Sequence, residues 1–170
     1  MADTFAENVK WNLEQVAVQV GHAEKVKGRA RSGYYKAAIM LAASIVEALA
    51  FKILSKSKLE MPLGDWQCKN SSFLPIFCQS KNKNRLSVCE RIQPIFKLER
   101  KTDFKKVNEV CLKLGIFSQK SFKKIDKIRK LRNKIHIQGL SNLDRSYTKK
   151  QLEFVSSIMD ELLGKINKDI

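Results

Sequence analysis

Between Ser32 and Lys56 the chain reads SGYYKAAIMLAASIVEALAFKILSK, Ala-rich and almost wholly apolar through its middle. A segment that is apolar all round its helical wheel predicts a helix buried by its neighbours, around which everything else must be arranged. Small residues at Ala38, Ala42 and Ala43 allow those neighbours to approach closely. No membrane span is expected, because no window of about 18 uncharged apolar residues exists. The best candidate, Ala37 to Phe51, is too short and contains Glu47. A carboxylate inside a buried helix is costly unless it is paired. Glu47 is therefore expected either at a partly exposed edge or as a buried partner for an Arg or His.

The rest of the chain punctuates itself around that segment. Phe5, Val9, Leu13, Val16, Val20 and Ala23 recur at helical spacing, predicting a first helix from about Thr4 to Lys27. GRARSG, from Gly28 to Gly33, reads either as a bend between two helices or as a weak point in one long helix. A short helix is expected from Asp103 to Leu114, closed by Gly115. Ser118 can cap the next helix, which is expected to run to about Gln138 with Gly139 as its stop. The last begins at Thr148, where Thr148 and Gln151 fit a capping box. Its buried stripe is Leu152, Val155, Ile158, Met159, Leu162, Leu163 and Ile166. The fold class is therefore all-α, a single domain over residues 1–170 in a bundle of about five helices.

One region, about 59–98, departs from this pattern. Pro62, Gly64, Pro75 and Pro94 break it, and KNKN at Lys81 to Asn84 reads as a turn. RLSVCERI alternates as a strand does, and SSFLPIFC could pair with it at a sheet edge. The expectation is an irregular insert or a small β-hairpin. Cys68, Cys78, Cys89 and Cys111 follow no usual zinc spacing and are read as structural thiols, so neither a metal nor a cofactor is expected. The N-terminus carries no secretory signal, which points to a cytoplasmic protein.

Charge narrows the function. The chain's net charge is +16, and Lys97 to Lys134 hold fourteen Lys or Arg against four Asp or Glu, a local net of +10. Such a concentration implies a polyanionic partner, most often nucleic acid, although it also serves as a solubilising surface. Within it lies KIRKLRNKIHIQG, Lys127 to Gly139, with one of the chain's two histidines. Residues seven apart lie about 20° apart on a helical wheel. Arg129 and His136 therefore share a face, Asn133 lies between them, and Arg132 is one turn before His136. This set suits metal-free phosphodiester cleavage in RNA. A histidine titrates near neutrality and can take a proton from a 2′-hydroxyl or give one to the leaving oxygen. Arginine grips a phosphate with two donors and stabilises its growing charge. Asn133 can orient the phosphate, Glu47 can hold an Arg or the imidazole, and Lys123, Lys124, Lys127, Lys130 and Lys134 supply attraction to the RNA backbone. The alternative is a histidine that only complements the helix dipole, beside basic residues that bind without catalysis. His22, in QVGHAEK, has no such setting and reads as surface or structural.

IRKLRNKIH at a helix end, together with GYYKAAIMLAASIVEALAFKIL upstream, resembles the HEPN superfamily, the higher eukaryotes and prokaryotes nucleotide-binding domain. The resemblance implies a helical bundle. It also implies a metal-independent endoribonuclease of toxin–antitoxin, CRISPR or phage-defence type, or a noncatalytic module binding RNA, nucleotide or a partner protein. It further implies a homodimer with one motif from each subunit lining a shared cleft, and an antitoxin or defence-system partner. The family motif is an Arg, often followed by a polar residue, then a His after four to six intervening residues. The RN pair lies on Arg132 and Asn133, only three residues before His136, whereas Arg129 meets the spacing. His136 is the firm match, and either arginine holds the motif position. Some family toxins carry a modifiable Tyr two residues after the His; here that residue is Gln138.

Overall fold

A computed structural model describes residues 4–57, 59, 66–69, 88–91, 96–99, 101–135 and 147–168. Their elements, in chain order, are α1 (Thr4–Lys25), α2 (Gly28–Lys56), β1 (Trp66–Lys69), β2 (Val88–Arg91), α3 (Phe104–Lys113), α4 (Gln119–Ile135) and α5 (Lys149–Lys168). Among the described residues the fold is an all-α bundle of five helices.

α2 is the centre of the bundle, as its composition demands. It packs most extensively on α1 and α5 and also touches α3 and α4. Ala38, Ile39, Ala42, Val46, Leu49, Ala50 and Leu54 are fully buried. Each large aliphatic side chain taken wholly from water contributes about 1.5–3 kcal/mol. By length and composition α2 is the one described helix that passes as a bilayer span, yet its apolar surface is largely covered by the other helices.

The α1–α2 junction differs from the bend expected over Gly28 to Gly33. The helical break is only Val26 and Lys27, and Gly28, at φ 60°, already opens α2. Arg31 explains the sharp turn. Its Nε donates to the carbonyls of Ala23 at 3.2 Å and Val26 at 2.9 Å, satisfying acceptors that the end of α1 leaves open. His22 stacks on Tyr34 across the same joint, with ring centroids 5.3 Å apart.

The remaining ends follow local chemistry. Asp103 accepts from the Lys105 amide at 2.6 Å to begin α3. Gly115, at φ 72°, ends it in a Schellman arrangement, in which the Gly115 amide donates to Leu112 and the Ile116 amide to Cys111. Ser118 accepts from the Ser121 amide at 3.1 Å at the start of α4. The Thr148–Gln151 box is present in both directions: the Thr148 amide donates to Gln151 Oε1 at 2.9 Å, and the Gln151 amide to Thr148 Oγ1 at 3.4 Å. On α5, Leu152, Val155, Ile158, Met159 and Leu162 are buried. Leu163 and Ile166 pack at the core's edge.

β1 and β2 pair antiparallel, with Cys68 opposite Cys89. β2 falls within RLSVCERI and its partner is WQCK. SSFLPIFC, the expected pairing segment, and the KNKN turn lie outside the described residues. Cys111 is fully buried, and burial pushes its thiol up to about 12. It stays protonated and inert at neutral pH, as a structural thiol should.

Candidate nucleic-acid interface

α4 carries most of the candidate site, and its orientation follows from its apolar residues. Ile125, Ile128 and Ile135 are buried, and Phe122 and Leu131 are half-buried. The Asn108 amide on α3 donates to the Phe122 carbonyl at 3.1 Å. On the other flank, Glu161 of α5 accepts from Ser121 and pairs with Lys124 at 3.6 Å. These contacts fix the rotation of α4 about its axis and hence the direction of its basic residues.

On the side towards α2 and α3, Arg132 meets Glu47. Nη1 lies 2.6 Å from Oε2, with side chains 29% and 33% exposed respectively. Glu47 thus sits at the partly exposed edge of α2 and, rather than being a buried partner, pairs with an arginine from there. The Arg132 Nε is buried and makes no hydrogen bond among the described residues. Arg129 turns back along its own helix. Its Nε and Nη2 reach Asp126 Oδ1 at 2.9 and 2.8 Å, while Lys130 takes Oδ2 at 2.7 Å. The Lys130 hydrogen bond first, then the Arg129 hydrogen bond and the charge of both, hold the Asp126 carboxyl below the usual carboxylate range.

Arg129, Arg132, Asn133 and Glu47 line one open cavity of about 320 Å³. Lys101, Thr102, Asp103 and Phe104, at the entry to α3, complete its wall. Of the five catalytic residues expected from sequence, four are therefore brought together. His136 follows the last described residue of α4 directly and lies outside the described residues, as do Gln138 and Gly139. The cavity is polar and electrically mixed, with two guanidiniums and an ammonium against two carboxylates. Such a wall can orient a phosphate through arginine while Glu47 keeps Arg132 in place.

On the helical wheel Lys123, Lys127, Lys130 and Lys134, four of the five lysines expected to bind RNA, share one side of α4, with Lys124 off to its edge. Lys123 and Lys134 are exposed. Lys124 is engaged by Glu161 and Lys130 by Asp126. The Lys127 ammonium stands over the Phe154 ring, 4.8 Å from its centroid. Beside it opens a second cavity of about 400 Å³, lined by Leu131, Phe154 and Gln151 with Lys127, Lys130, Lys134 and Lys150. Phe154 and Lys150 are absent from the sequence-derived site, as is Asp126. Asp126 was open to detection, since an acid three and four residues before two bases forms pairs on a helix. Phe154 sits one position off the buried stripe of α5, and only packing shows which neighbour it meets.

No family model matches this chain, and neither does any curated protein or solved structure. Among the described residues no three His, Cys, Asp or Glu side chains gather as metal ligands.

Proposed function

We propose that this chain binds RNA along α4 and cleaves it without a metal ion, as its sequence resemblance to HEPN ribonucleases implies. One observation carries the reading: α4 brings two guanidiniums and an amide into one open cavity, braced by Glu47, in the turns directly before His136. Arg132 and Arg129 hold the scissile phosphate, and Asn133 orients it. His136 takes the 2′-hydroxyl proton or returns one to the departing 5′-oxygen. The 2′-oxygen attacks phosphorus, the P–O5′ bond breaks, and a 2′,3′-cyclic phosphate remains. Pairing of two copies supplies one histidine for each proton transfer.

The test is RNA cleavage in EDTA by the wild type and His136→Ala. The expected result is a cyclic-phosphate product from the wild type and a loss of about 10²–10⁴-fold in the variant, with folding and RNA affinity retained. Undiminished cleavage by His136→Ala overturns the catalytic role.

A second reading has its own observation. Arg129 is held by Asp126 and Arg132 by Glu47, so both guanidiniums are already partly neutralised. That arrangement suits a noncatalytic module that binds RNA, nucleotide or a partner protein. RNA binding without cleavage, indifferent to His136→Ala, selects it.

A further inference from the structure

We propose that the groove between α4 and α5 is a stacking subsite for a base of single-stranded RNA, with Phe154 as its platform. The inference rests on the RNA-binding reading and adds to it a second site, on the far side of α4 from the arginine cavity. On the helical wheel Lys127, Lys130, Leu131 and Lys134 cluster on one side of α4, whereas Arg129, Arg132 and Asn133 lie roughly opposite.

The two sites differ in kind. The arginine cavity is walled by charge and contains carboxylates. The groove has an apolar floor of Leu131 and Phe154, lysines at its rim, and no carboxylate among the described residues of its lining. Lys130 is shared with Asp126, while Lys127, Lys134 and Lys150 make no ion pair among the described residues. An apolar aromatic floor under a cationic rim complements a flat base attached to a phosphate chain. Single-strand binders combine these same two elements, stacking on aromatics and a positive track for the backbone.

Lys127 now stands where the base would lie. Its ammonium marks the ring face as open to an incoming group, and the side chain is exposed, so leaving the ring requires only a change of rotamer. An exposed ammonium–ring contact is weaker than base stacking, and the displaced lysine gains a phosphate. The base therefore wins the exchange. A strand held this way crosses the exposed ridge of α4 at Lys134 and Asn133 to reach the arginine cavity.

The experiment measures binding of a fluorescent oligouridylate and of an abasic ribose-phosphate chain of equal length, at several salt concentrations. The proteins are the full-length wild type, Phe154→Leu and Phe154→Trp. Leucine keeps the apolar floor but removes the aromatic face, and tryptophan keeps both. The wild type is expected to prefer the base-bearing strand by roughly tenfold. Phe154→Leu loses that preference while keeping the salt slope, and Phe154→Trp retains it. Equal binding of oligouridylate by wild type and Phe154→Leu overturns the subsite but leaves RNA binding standing. A wild type that binds neither strand at low salt overturns the subsite together with the RNA reading. A wild type indifferent to the missing bases, with an acidic amphipathic peptide bound in a Phe154-dependent way, overturns the subsite in favour of a protein-docking groove.

Discussion

Helices α2 and α4 meet through one ion pair, Glu47 with Arg132, and use their residues in opposite ways. α2 buries Tyr35, Ile39, Val46, Leu49, Leu54 and most of its alanines. α4 buries only Ser121, Ile125, Ile128 and Ile135 and turns a row of lysines outward. Burial along one broad face, with Met40, Leu41 and Phe51 half-buried against the core, makes α2 the framework. A narrow apolar stripe makes α4 a carrier, held just firmly enough to fix where its charges point. The difference teaches that stability and binding should respond to different mutations, and that the pair joining the two helices should affect both.

The largest effect is expected in the core. Leu49→Ala should cost about 2–5 kcal/mol, read as a lowered urea midpoint at unchanged slope. A cost near zero would remove α2 from the centre of the comparison. Glu47→Ala should cost at most about 1 kcal/mol, because both partners are partly exposed. It should nevertheless lower cleavage more than stability, since it releases Arg132 from its brace. An equal loss in both measurements would make Glu47 merely structural.

Asp126 sharpens the contrast through pH. Its carboxyl is held below the ordinary range, so the stability it contributes is complete above its unfolded pKa, about 3.9, and is lost as pH falls through its lower native value. Asp126→Asn should flatten the acid side of a stability–pH profile taken between about pH 5 and 2. At neutral pH the same change frees Arg129 and Lys130 and should tighten RNA binding. The smallest stability effect belongs to Lys123→Ala with Lys134→Ala, within about 0.5 kcal/mol for each exposed site. Each lysine that contacts a phosphate should still reduce the salt slope by about 0.7.

Features set by short stretches of chain were legible in advance. The Ser118 cap, the Thr148–Gln151 box, the Gly115 stop and the apolar stripe of α5 each depend on residues a few positions apart. Helical periodicity and local hydrogen bonding are written at that range. The α1–α2 junction was only half legible, because its position depends on Arg31 reaching back to Ala23 and Val26. The chain's charge and the RKLRNKIH cluster were equally open to reading, since they are composition and spacing.

Which distant side chains share a space is settled by packing. Glu47 and Arg132 stand eighty-five positions apart in sequence, and helix packing alone chooses Arg132 over its neighbours on the same face. The wall from Lys101 to Phe104 and the Phe154 groove arise in the same way, where the start of α3 and one turn of α5 come against α4. The helices follow from local energetics and the amount of charge from composition alone. The pairing of that charge required the packed core, because opposite partners on separate helices meet only after burial has set each helix's rotation.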